Sequence, residues 1–144
     1  MLCDVTSAPA SRGPSDRDHR GKRNGHRASI ETCVQYLMLN HEEHTRRFGA
    51  KTKHYPPIRP KAEVDLLWTH IANDECTFVS SDHVSWGLER KQNPNVFKNS
   101  SGGPGLETLL PAFWTGCEEH GISPSMVVRQ LEQELGTALF DPTD

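Results

Sequence analysis

An α/β fold with a parallel sheet is predicted by three features of this sequence. A strand-like run lies at 28–32, an amphipathic helical pattern starts at Pro60, and a second strand-like run at 77–81 follows within a few residues. Strand, helix, strand is the connection that a parallel pair requires, because parallel strands cannot be joined by a tight hairpin. The second strand, Thr77-Phe78-Val79-Ser80-Ser81, runs into Asp82-His83 with no glycine or proline between. Side chains at the carboxyl end of such a strand stand at the sheet edge, where α/β folds place their chemistry. Asp82 is therefore the first candidate functional residue, set against the plainer reading of Ser-Asp as an ordinary loop start.

Composition bounds the rest. The chain has 144 residues, 34% hydrophobic and 24% charged, which allows one modest core. Its net charge of −3 and the absence of a signal-like segment or an apolar run of membrane length predict a soluble, cytoplasmic protein with no membrane partner. Cys3, Cys33, Cys76 and Cys117 have no CxxC spacing, so they read as reduced, mostly buried thiols rather than a zinc ribbon or a redox pair.

Residues 1–26 are rich in Ser, Pro, Arg, Asp and Gly, with no apolar periodicity after Val5. Such a stretch cannot bury enough apolar surface to offset its ordering entropy, so it is expected to be a disordered or unrelated leader. Its five Lys/Arg alternate with three Asp and no aromatic is interleaved, which argues against a nucleic-acid arm.

The globular pattern starts at Arg27. Ala28 to Thr32 alternates as a short strand. Asn40 and Glu43 have capping-box spacing ahead of a helix at about 41–48 that ends at Gly49. His41 and His44 share one face of that helix, but HEEH is not the HExxH spacing and both flanks are polar. A solvated face is the preferred reading over a metal-chelating pair. Pro56, Pro57 and Pro60 force 51–60 to be extended, and Val64, Leu67, Trp68 and Ile71 then form the apolar stripe of a helix to about Asn73. Residues 84–104 are a long loop, of the length that is usually functional or disordered. Within it Gly102 and Gly103 let the backbone approach a ligand closely, though not in a Walker or Rossmann spacing. Helices at about 105–119 and 124–135 close the chain, with Leu109, Leu110 and Phe113, then Val127, Val128, Leu131 and Leu135, as expected core positions.

Four stretches occur in one order: Glu31-Thr32-Cys33-Val34-Gln35-Tyr36-Leu37, Tyr55-Pro56-Pro57-Ile58-Arg59, Ser81-Asp82-His83 and Gly102-Gly103-Pro104-Gly105-Leu106-Glu107. Together they resemble the carboxyl-terminal part of the cyclic amidohydrolases, the family of dihydropyrimidinases, hydantoinases, allantoinases and dihydroorotases. The resemblance covers roughly residues 24–141. It implies a metal-dependent (β/α)₈ barrel, usually with two zinc ions and a carboxylated lysine, that hydrolyses the C–N bond of a cyclic amide or imide. It implies that Asp82 follows the eighth strand as a metal ligand and general base, with His83 beside it. It also implies that Tyr55, His83, Gly102 and Gly103 lie where the family holds its substrate, and that the protein forms homo-oligomers as family members often do. Gln35 stands where dihydroorotases and allantoinases tend to have histidine, which leans toward the dihydropyrimidinase and hydantoinase branch. Val34 replaces the family's usual proline and Tyr55 a smaller polar residue.

The family's HxH pair, bridging lysine and two further metal histidines have no counterpart in the matched stretch. A complete barrel needs about 250 residues. The expected architecture of 27–144 is thus an incomplete barrel, its last two strands with their helices. The expected function is a cyclic amide hydrolase whose metal site is incomplete in this chain, so that the fragment is inactive alone. The alternative is a non-catalytic remnant or interaction module that docks on a partner chain.

Overall fold

The computed structural model describes residues 30–133. The expected leader, the start of the first strand at Ala28 and Ser29, and Leu135 lie outside them.

The predicted parallel pair is present. β1 (Glu31–Cys33) and β2 (Phe78–Ser80) run side by side, with Glu31 opposite Phe78, Thr32 opposite Val79 and Cys33 opposite Ser80. Just ahead of the ladder the Thr77 amide donates to the Ile30 carbonyl (2.7 Å), and the Ile30 amide donates to Thr77 Oγ1 (2.9 Å). Among the described residues β1 runs one residue past the 28–32 pattern, to Cys33, because Ser80 is there to pair with it. Directly after it comes α1 (Val34–Met38), a helix that the sequence reading left unassigned. Five residues are too few to leave a periodic signal, and this turn is held by burial of Val34 and Leu37 on one face.

The capping box at Asn40 forms as expected. Asn40 Oδ1 accepts from the Glu43 amide (2.8 Å), and Asn40 Nδ2 donates to Glu43 Oε2 (3.2 Å). A wide π-type turn, His41–Thr45, leads into α2 (Arg46–Phe48), and the chain leaves it at Gly49 with φ of 58°. His44 Nδ1 accepts the Asn40 amide (3.1 Å) and so belongs to the cap, while His41 is exposed.

α3 (Lys61–Ala72) crosses from the first strand to the second and buries Val64, Trp68 and Ile71, with Leu67 half-buried against them. α4 (Leu109–Glu119) and α5 (Pro124–Val128), with a further π-type turn at Arg129–Gln133, complete the described chain. Trp68 is the centre of the core. Its Nε1 donates to the Leu37 carbonyl (2.9 Å), and its indole is stacked against Phe113 at 6.0 Å and His120 at 4.5 Å. Each large apolar side chain buried here contributes about 1.5–3 kcal/mol.

Three expectations need correction. The helix expected from 105 starts at Leu109, because the amides of Gly105 and Leu106 are taken by His83. Leu110, expected in the core, is 55% exposed, since it lies in the first turn of α4 with no second layer over it among the described residues. Val128 is 53% exposed while Val127 is 2% exposed. Adjacent helical residues point about 100° apart, so a short helix with one covered face buries only one of them.

Candidate active site at the carboxyl ends of the strands

Just past the carboxyl ends of β1 and β2 stand two polar residues, Gln35 on the first turn of α1 and Asp82 after β2. Gln35 Nε2 donates to Asp82 Oδ2 (3.3 Å) at an exposed position. Asp82 has φ of 43°, in the left-handed region that aspartate tolerates better than most residues. That kink turns the chain out of the sheet as soon as β2 ends.

His83 is fully engaged. Its Nδ1 accepts from the amides of Gly105 and Leu106 (both 3.2 Å), which fixes the proton on Nε2, and Nε2 then donates to Ser85 Oγ (3.2 Å). The backbone of His83 also bridges in parallel to Gly103, and the Val84 amide donates to the Gly103 carbonyl (3.1 Å). A histidine after the strand thus anchors the glycine arch at 102–105. Two of those glycines are required by geometry. Gly102 has φ of 76°, and a Cβ on Gly105 would lie 2.9 Å from the Ser81 carbonyl oxygen.

Beside Asp82 lies an open pocket of about 220 Å³, walled by Gln35, His54, Ser81, the Gly103–Gly105 arch and apolar atoms of Val34 and Met38. Gly103 lines it, whereas the Gly102 side of the arch faces Val84. Tyr55 is 86% exposed and is not part of its wall.

The sequence reading missed His54. Its Nδ1 donates to the Thr52 carbonyl (3.0 Å), leaving Nε2 as an acceptor, and the ring lines the pocket. Burial holds it below the usual histidine range. The Thr52 carbonyl and the Asp82 charge pull the other way, and the Lys91 charge adds to the lowering. The sequence carried no signal for it beyond its place next to Tyr55.

Asp82 is one open carboxylate, and His83 spends both nitrogens on protein groups. Among the described residues there is no group of three or more His, Cys, Asp or Glu able to hold a metal ion. These residues alone therefore do not fit a zinc centre, which needs three or four protein ligands. Likewise no helix among them is long and apolar enough to cross a membrane.

Comparison with known proteins gives the same direction as the fold. No family model matches the chain. It is 34% identical over 104 residues to an allantoinase of Rubrobacter xylanophilus, across 72% of this chain and 23% of that protein. It is 38% identical over 114 residues to a D-hydantoinase of Ralstonia pickettii, across 76% of this chain and 25% of that one. Among solved structures, the L-hydantoinase (dihydropyrimidinase) of Arthrobacter aurescens is similar with a TM-score of 0.79 at 25% identity, over 85% of this chain and 28% of its own. A D-hydantoinase structure gives 0.74 at 32% identity, over 94% and 30%. The chain belongs to the cyclic amidohydrolase family. Its relatives there are the hydantoinases, dihydropyrimidinases and allantoinases, and it spans about a quarter of the length of the curated relatives it matches.

Proposed function

We propose that residues 27–144 supply the carboxyl-terminal part of a cyclic amide hydrolase, with 1–26 as a separate leader. In this reading β1 and β2 are neighbouring strands of an incomplete (β/α)₈ barrel. The substrate is a cyclic amide or imide of the hydantoin or dihydropyrimidine class, and the bond broken is a ring C–N bond. Asp82 is the carboxylate that this stretch contributes to a zinc site whose other ligands come from elsewhere. It also acts as general base, taking a proton from the attacking water and returning it to the ring nitrogen as the C–N bond opens. The ring rests against the Gly103 side of the arch, which His83 anchors, with Gly102 and Tyr55 outside that contact. The observation that carries this reading is Asp82 at the end of β2, hydrogen-bonded to Gln35 and beside the pocket that His54 and Gly103 line.

A second reading is favoured by a specific feature: two short parallel strands with Phe97, Leu106 and Leu110 exposed. Large apolar side chains left in water mark a surface that a partner can cover. A chain of this kind acts as a docking module for a partner, with no chemistry of its own.

Metal analysis and complementation separate the two. The purified chain is expected to retain no stoichiometric zinc after dialysis; tightly held zinc would contradict the site as drawn. With the amino-terminal part of a related hydantoinase co-expressed, hydrolysis of hydantoin or dihydrouracil should appear. Asp82→Asn should then lower it by about 10²–10⁴-fold, while His41→Ala and His44→Ala change little. An indifferent Asp82 with a required His41–His44 pair would overturn the assignment, and assembly without hydrolysis would support the docking reading.

A further inference from the structure

The loop between β2 and α4 contains a buried lysine. Lys91 is 8% exposed, and its Nζ donates to three backbone carbonyls, those of Lys53 (2.6 Å), Ser100 (3.1 Å) and Gly102 (2.6 Å). All three protons of the ammonium are thereby used. Among the described residues no carboxylate forms an ion pair with it. A charge taken out of water without a counter-ion must be stabilised by dipoles. Three carbonyl oxygens converging on one nitrogen are the kind of shell that backbone carbonyls offer a monovalent cation.

The three carbonyls belong to two strips of chain that the sequence separates by about fifty residues. The Gly102 amide donates to the Lys53 carbonyl (3.1 Å), Lys53 Nζ donates to the Asn99 carbonyl (2.7 Å), and Asn99 Nδ2 donates to the Ala50 carbonyl (3.0 Å). The strips are thus laced together around Lys91. Each places one pocket wall directly after a caged carbonyl: His54 follows Lys53, and Gly103 follows Gly102.

We propose that Lys91 is a positioning residue whose ammonium serves as a tethered monovalent cation in a carbonyl cage built by Lys53, Ser100 and Gly102, and that this cage sets the spacing between the His54 and Gly103 walls of the pocket. Emptying it by substitution creates a site for a free organic ammonium ion. The proposal does not depend on the hydrolase reading, since a docking module with the same loop needs the same cage.

The test uses the full 144-residue chain. Lys91→Met keeps most of the stem and removes the charge; Lys91→Ala removes the atoms that n-propylammonium would replace. Amide exchange at Gly102 should quicken by about tenfold or more in Lys91→Met, as expected for loss of a charge-assisted hydrogen bond. In Lys91→Ala, n-propylammonium chloride should restore slow exchange and raise the thermal midpoint, while tetramethylammonium chloride at equal ionic strength and neutral n-propanol should not. Unchanged Gly102 exchange in Lys91→Met, or equal effects of the two salts, would overturn the cage. If Lys91→Ala does not fold, the wild-type chain decides. A ¹⁵N-labelled Lys91 ammonium should give a resolved, slowly exchanging signal at neutral pH, and a signal averaged away by water would refute the proposal.

Discussion

A methyl group on Gly116 tests the tightest contact in the core. An ideal Cβ there lies 2.3 Å from Cζ2 and 2.5 Å from Cη2 of Trp68, and 3.2 Å from Sδ of Met38. The indole has no room to swing, because Nε1 is tied to the Leu37 carbonyl and the ring is stacked against Phe113 and His120. Two effects oppose one another in Gly116→Ala. Alanine in mid-helix gains about 1 kcal/mol over glycine. Overpacking against a fixed ring costs about 1–3 kcal/mol. The net is a loss of roughly 0–2 kcal/mol. In a Trp68→Phe background the offending ring atoms are gone, so the same methyl should stabilise the chain by up to about 1 kcal/mol. The lost Leu37 hydrogen bond is common to both chains that carry Trp68→Phe and cancels in the cycle. Urea unfolding of the four proteins, followed by far-UV circular dichroism, should give a coupling energy of about 1–3 kcal/mol with a change of sign in the Gly116 effect. Additivity within about 0.5 kcal/mol would refute the packing argument.

Other predictions concern the cap, the pocket and the thiols. Asn40→Ala removes both arms of the capping box and should lower stability by about 1 kcal/mol in urea titration, whereas an unchanged midpoint contradicts a functioning cap. His54 titrates below its ordinary value of 6.5 in the folded chain, so the folded state binds this proton less readily than the unfolded state. Its contribution is complete above the ordinary value and is lost as the pH falls through the lower folded one. Urea midpoints at about pH 7.5 and about pH 5.5 should therefore differ more for wild type than for His54→Gln. Burial pushes the Cys117 thiol up to about 11, so at about pH 8 almost no thiolate is present. With Cys33 and Cys76 buried as well, thiol reagents should modify these three only on unfolding, and rapid labelling of Cys117 in the native chain would contradict its placement.

What the sequence made legible is what local chemistry decides. The parallel pair was readable because helix α3 separates two strand-like runs, and the Asn40–Glu43 cap because its two partners lie three residues apart. The Val64, Trp68 and Ile71 stripe was readable because its spacing is helical. The place of Asp82 just beyond β2 was readable from the strand-like run before it. Illegible were features that depend on distant chain. Lys91 sits between Arg90 and Gln92 and looks like any solvated lysine, and only the return of the 50–53 strip buries it. His54 is a pocket wall because residues 81 and 103–105 come to it. Leu110 and Val128 carried a sound helical pattern, but no layer among the described residues covers them.

The pairing offset has a consequence for how such a sequence can change. Glu31 with Phe78, Cys33 with Ser80 and Gln35 with Asp82 are all separated by 47 positions. The ladder works as a ruler over 31–33 and 78–80, and beyond it the Gln35 side chain, on the first turn of α1, spans to the Asp82 carboxylate. Residues gained or lost in the exposed 46–49 turn renumber one side without moving any mark, because the loop absorbs them. A single deletion within 31–35 or 78–82 instead slips the strands by one residue, so that buried Phe78 and Val79 each meet the packing made for the other and the carboxylate leaves its amide. Length variation among relatives should accumulate in the first stretch and be absent from the other two.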